Sequence, residues 1–253
     1  MQLLGSSWAL ACGPLPRAQS SPAGASASAG GRVRAVAFDL FTLFDPRGVE
    51  QRVDSLLGPG TPLAATWKTK LFEYSWIRAS AGQYVDFRQL VHDSLACAAE
   101  VHRLRIDAAT GERLEAAFVE LDPWPDALEA LRLLRARGLR LAPLANFAPA
   151  MIDALLDRAN MRGAFDSIIS TDLARTYKPD PRAYALGPKV FGLPSQQIAF
   201  VAFGSWDAAG AHWYGFPTFW VNRLGAGPER LIDVDATGPG LQELIRWIDQ
   251  RAA

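Results

Sequence analysis

A chain of 253 residues, 49% hydrophobic and 21% charged, has the length and apolar content for one large α/β domain, or a core domain carrying a smaller insertion. Lys plus Arg number 26 and Asp plus Glu number 26, so no net field draws in nucleic acid or an acidic membrane surface. The two cysteines, Cys12 and Cys97, show no framework spacing, and the absence of CxxC and of paired histidines argues against a disulfide scaffold, a zinc site or a redox motif. His92, His102 and His212 read as structural. A metal-free, cofactor-free protein in the cytoplasm is expected.

Residues 1–32 are dense in Pro, Gly, Ala and Ser from Gly13 onward and read as a disordered extension. The apolar beginning lacks the positive segment a secretory signal needs and is too short to span a bilayer. An apolar strand then runs from Val33 to Phe38 and ends in Asp39, with a second acid, Asp45, just before Pro46. From Arg47 to Asp122 the pattern turns helical, with helices expected at Glu50–Leu57, Leu63–Ala79, from an Asp86 cap to Leu104, and at Gly111–Leu121. Residues 47–122 thus read as a helical cap, and 33–46 with 123–253 as the core. From Trp124 onward strands alternate with helices. Strands are expected at Leu139–Ala145, Ser167–Ser170, Ile198–Phe203 and Thr218–Val221. The helices between and after them are expected at Asp126–Arg137, Pro149–Ala159, Pro181–Phe191, Trp206–Tyr214 and Leu241–Gln250. The fold class is α/β, a Rossmann-like parallel sheet with a helical insertion after its first strand.

Open parallel sheets bind ligands beyond the carboxyl ends of their strands. The polar residues after those strands are Asp39, Asn146, Lys178 and Asp207, whereas the strands themselves are almost wholly apolar. Singly, Asn146 and Asp207 read as helix caps and Lys178 as a solvated loop charge. As a set they read as a nucleophilic carboxylate, a cation to keep it ionised, and a second acid to fix that cation.

The order F-D-x-x-T-L-F-D, a strand ending in Asn, then Y-K-P-D, then W-D-x-x-G-A resembles the haloacid dehalogenase superfamily, over about Arg34 to Arg223. Within it the chain is similar to the hydrolytic L-2-haloacid dehalogenases. Supporting stretches are W-K-T-K-L-F-E-Y-S-W-I-R (Trp67 to Arg78), Y-V-D-F (Tyr84 to Phe87), Y-K-P-D-P-R-A-Y (Tyr177 to Tyr184) and G-F-P-T-F-W-V-N-R (Gly215 to Arg223). The resemblance implies that Asp39 attacks the halogen-bearing carbon of a short 2-haloalkanoate, and that water hydrolyses the ester to a 2-hydroxy acid. Thr42, Lys178 and Asp207 would complete the catalytic set. Lys68 and Asn146 would receive the halide, and Phe41, Leu71, Phe87, Tyr184 and Trp206 would line an apolar pocket. A small-molecule substrate and a homodimer are implied as partners.

The alternatives are a phosphatase of the same superfamily and a non-catalytic member. Phosphatase members carry a second Asp two residues after the nucleophile; here that position is Phe41. The pattern also departs from the dehalogenases: the glycine before Thr42 is missing, Lys68 replaces an arginine, Ala145 and Ala202 stand at hydroxyl positions, and Gly204 replaces an asparagine.

Overall fold

The computed structural model describes residues 32–252; the extension expected over residues 1–32 lies outside the described residues except for Arg32. Six strands form one parallel sheet: β1 (Ala35–Phe38), β2 (Arg140–Ala145), β3 (Ile169–Ser170), β4 (Ile198–Ala202), β5 (Thr218–Val221) and β6 (Ala236–Gly238). Their spatial order is β3-β2-β1-β4-β5-β6. β1 pairs with β2 on one side and β4 on the other, so the direction of winding reverses at the exits of β1 and β4. A doubly wound sheet opens its ligand crevice at that reversal.

Alternation along each strand divides the side chains between two apolar layers. Val36 and Phe38 of β1, with Ala199 and Val201 of β4, face the layer that includes α5 (Ala127–Ala136), α6 (Pro149–Arg158) and α10 (Leu241–Ala252). Ala35, Ala37, Ile198 and Phe200 face the other layer, covered by α7 (Pro181–Tyr184), α8 (Leu186–Phe191) and α9 (Ser205–Tyr214).

Between β1 and β2 the chain forms α1 (Arg47–Leu57), α2 (Leu63–Ala81), α3 (Phe87–Val101) and α4 (Ala108–Ala116). Asp86 caps α3 as expected, accepting from the Gln89 amide at 2.8 Å. That helix stops at Val101, before the expected Leu104, because Arg103 turns into the left-handed region at φ 55°. The fourth helix starts three residues before Gly111, where Asp107 accepts from the Thr110 amide at 2.7 Å. The apolar cluster on the α5 and α6 side of the sheet continues without a break into Trp67, Leu90 and Leu114 of these helices. The chain enters and leaves the four helices side by side: Phe44 bridges Pro123 in antiparallel register, and the Asp45 amide donates to the Asp122 carbonyl at 2.9 Å.

Two further expectations are corrected. The single helix over Pro181–Phe191 is broken at Ala185 into α7 and α8, because Pro188 has no N–H to donate to the Tyr184 carbonyl one turn earlier. The edge strand β6 was not expected, since three residues with little apolar content leave no alternation to read. No described helix is long and apolar enough to cross a membrane.

Candidate active site

Asp39 stands one residue beyond β1, its amide fixed to the Val201 carbonyl of β4 at 2.9 Å. The chain then turns into a short 3-10 segment, Leu40–Thr42, with Asp39 as its cap; the Phe41 amide lies 3.2 Å from Asp39 Oδ2. The other carboxylate oxygen, Oδ1, accepts from Lys178 Nζ at 2.8 Å. The same ammonium donates to Asp207 Oδ2 at 2.7 Å, and Asp207 Oδ1 accepts from the Tyr184 hydroxyl at 2.7 Å. Lys178 and Asp207 are almost wholly buried, 1% exposed each, while the Asp39 side chain keeps 14%. Two buried charges are thus joined to a third that retains an opening.

The electrostatics follow from that geometry. Burial opposes the charge on Lys178, but Asp207 and Asp39 more than offset it, and its pKa ends above the ordinary lysine value. Asp207 ends raised to about 6: burial pushes it up most, Lys178 pulls it down and Asp39 pushes it up. Burial and the neighbouring Asp207 raise Tyr184 well above the usual phenol value, so its hydroxyl stays protonated and donates.

Asn146, expected as a halide contact, has its side-chain oxygen turned inward: it accepts from the Lys178 amide at 2.9 Å and bonds the Thr171 hydroxyl at 3.4 Å. Asn146 therefore holds the backbone that carries the lysine. The Thr42 hydroxyl donates to the Asp39 backbone carbonyl at 2.6 Å, not to its carboxylate. The Phe41 amide lies beside Asp39, and the Phe41 and Phe87 rings both pack on Phe147. Tyr184 is fully buried under Asp207. Leu71 is buried in the core, and Trp206 packs edge-on against Phe72 and Trp76 of α2. Lys68 is exposed and is not among the ion pairs of the cluster. Among the described residues, no three of His, Cys, Asp and Glu group as metal ligands.

Three residues given no site role in the sequence reading hold this arrangement. Arg223, just past β5, donates to the Thr42 carbonyl from Nη2 at 3.0 Å and from Nε at 3.3 Å, and pairs with Asp126 at 2.7 Å. Its guanidinium lies over the Trp124 ring at 4.8 Å, and the Trp124 indole N–H donates to the Phe41 carbonyl at 3.0 Å. Together they fix the turn that follows Asp39. Gly210 lets α9 approach Tyr184, where a Cβ would lie 2.5 Å from the hydroxyl. Arg223→Lys keeps the charge and loses the fork. It is expected to cost about 1.5–3 kcal/mol in urea unfolding; an unchanged midpoint would discount the clamp.

A carboxylate that keeps a small opening to solvent and is tethered to a buried ammonium, at the reversal point of a doubly wound sheet, has the form of a hydrolase-type site. A family model described as haloacid dehalogenase-like hydrolase matches residues 33–215. The chain is 40% identical over 195 residues to an (S)-2-haloacid dehalogenase of Pseudomonas sp. (strain YL), covering 76% of this chain and 84% of that one. The solved structure of the L-2-haloacid dehalogenase RSc1362 superposes with a TM-score of 0.83 at 38% identity, covering 86% and 99% of the two chains. That of the L-2-haloacid dehalogenase from Xanthobacter autotrophicus with chloropropionic acid covalently bound gives 0.80 at 30% identity, covering 86% and 98%. The chain belongs to the haloacid dehalogenase-like hydrolase family.

Proposed function

We propose that the chain is a hydrolytic dehalogenase of short 2-haloalkanoic acids, working through an aspartyl ester on Asp39. The observation that carries this reading is the Asp39–Lys178–Asp207 cluster with Phe41, not a second acid, beside the nucleophile. A leaving alkoxide needs a proton donor; a halide leaves with the bonding pair and needs none. Asp39 Oδ2 attacks C2 opposite the carbon–halogen bond, forming a C–O bond as halide departs and inverting C2. Water then gives a proton to Asp207, and its oxygen adds to the Asp39 acyl carbon. The intermediate collapses, the alkoxide takes the proton back as the 2-hydroxy acid leaves, and Asp39 loses its new proton to solvent. Lys178 stabilises the charge on the carboxylate throughout.

The same reading makes residues 47–122 a cap over the core of 33–46 and 123–253. The Tyr177 hydroxyl donates to the Val85 carbonyl at 2.7 Å, and the Tyr84 hydroxyl donates to Asp172 across the same seam. The test is chloride release from chloroacetate and from L-2-chloropropionate in the presence of a chelator; no chloride from either acid at high enzyme concentration rejects the reading.

We also propose that a second copy of the chain is its macromolecular partner, docking on the α2 face where Trp76 is 40% and Ile77 62% exposed. Light scattering at twice the chain mass supports the dimer, and a single-chain mass refutes it.

A further inference from the structure

Each of the three central strands delivers a phenylalanine at its exit: Phe41 beyond β1, Phe147 beyond β2 and Phe203 beyond β4. Neighbouring strands run about 4.8 Å apart, so rings at adjacent exits are brought into contact. Phe41 meets Phe147 edge to face with centroids 5.7 Å apart, and meets Phe203 at 6.0 Å. Phe147 is anchored from the helical side, stacked on Phe87 at 4.5 Å with Phe118 edge-on at 6.1 Å. The cluster is carried by the same turn as Asp39: the backbone amide of Phe41 lies 3.2 Å from Asp39 Oδ2. Phe147 is buried, while Phe41 and Phe203 are half-buried.

We propose that Phe41, Phe147 and Phe203 limit the substrate to two-carbon haloacetates, against 2-halopropionates and longer acids. This rests on the dehalogenase reading and deepens it. In an in-line displacement the entering oxygen and departing halide lie on one axis, and the three other groups on C2 spread in the plane across it. In a haloacetate these are the carboxylate and two hydrogens. In a longer acid one hydrogen becomes an alkyl group, which must lie in that plane beside the oxygen that Phe41 borders. The rings there touch one another and are pinned by α3, so accommodating a methyl group means pushing a ring out of a packed cluster.

The experiment compares kcat/KM for chloroacetate and L-2-chloropropionate, read as chloride release, in the native chain, Phe203→Ala and Phe147→Leu. Phe203→Ala opens the solvent side and leaves the Phe147–Phe87 stack in place; Phe147→Leu keeps an apolar side chain at the anchored position. The native chain is expected to favour chloroacetate by at least about tenfold. A C2 methyl also slows displacement in solution, so the deciding readout is the change in that ratio. At least one variant should narrow it about fivefold or more by raising turnover of the longer acid. Equal preference in the native chain overturns the proposal, as does an unchanged ratio in both variants. Chloride from neither acid rejects the dehalogenase reading itself, a separate outcome.

Discussion

Asp39→Asn is expected to reduce halide release by at least about 10⁴-fold, as loss of a covalent nucleophile does when no other group can take its place. The amide occupies the same space but offers no charged oxygen to carbon. Stability is expected to change by less than about 1 kcal/mol, because two effects oppose each other. The variant loses the Asp39–Lys178 pair, which lies at the partly open end of the cluster. It also removes the carboxylate that pushes Asp207 upward, leaving Lys178 and Asp207 as a neutral buried pair. Chloride assay and urea unfolding on the same preparation check both halves. A variant that still releases halide with multiple turnovers would remove Asp39 from the nucleophile's role.

Lys178→Met should behave differently, losing rate and stability together. Without the ammonium, Asp207 is a buried carboxyl with only Tyr184 as donor, and breaking a buried pair from one side costs about 3–5 kcal/mol. Halide release should fall on the order of 10² to 10³-fold, the size of effect when a preorganised charge at the reacting centre is removed. The stability loss has a predictable pH dependence. Burial already raises Asp207 to about 6 in the native protein, and loss of the lysine that pulls it down moves it higher. An acid whose folded pKa exceeds its unfolded value stabilises the fold below the unfolded value, near 4. It loses that contribution as pH rises through the folded value. The deficit of Lys178→Met relative to the native protein should therefore be smaller at pH 5 than at pH 8. Equal deficits in urea titrations at the two pH values would show that Asp207 does not carry the effect.

The polar cluster is legible in the sequence because a parallel strand buried on both faces is nearly all apolar, so the first polar residue after it marks the exit. Asp39 and Asn146 follow that rule, Asp207 comes two residues after Ser205 in the first turn of the helix beyond β4, and Lys178 sits in the loop between the third and fourth strands of the chain. Their convergence depends on the sheet order, which no local pattern encodes: β4 lies beside β1 although some 160 residues separate them. Orientation is less legible still. The sequence places Asn146 at the site, but only the surrounding backbone makes its oxygen face the Lys178 amide. Likewise the sequence places Thr42 three residues after Asp39, and its hydroxyl closes the turn on the Asp39 carbonyl. The hold of Arg223 and Trp124 on the Asp39 turn is not legible in the sequence, because both act there on backbone carbonyls, which leave no trace in residue types. Lys68 shows the limit of motif matching, since a position on a long helix does not specify whether its side chain reaches the site or solvent.

The side-by-side linkers at Phe44–Asp45 and Asp122–Pro123 have a consequence for how such proteins diversify. Because the excursion departs and returns at a single doorway, its length and content can vary without rethreading any strand, and closing the loop adds almost no constraint on the sheet. Selection can thus rebuild the roof over an inherited floor: chemistry stays with the strand tips, while admission of new molecules is renegotiated in a module joined through one gap.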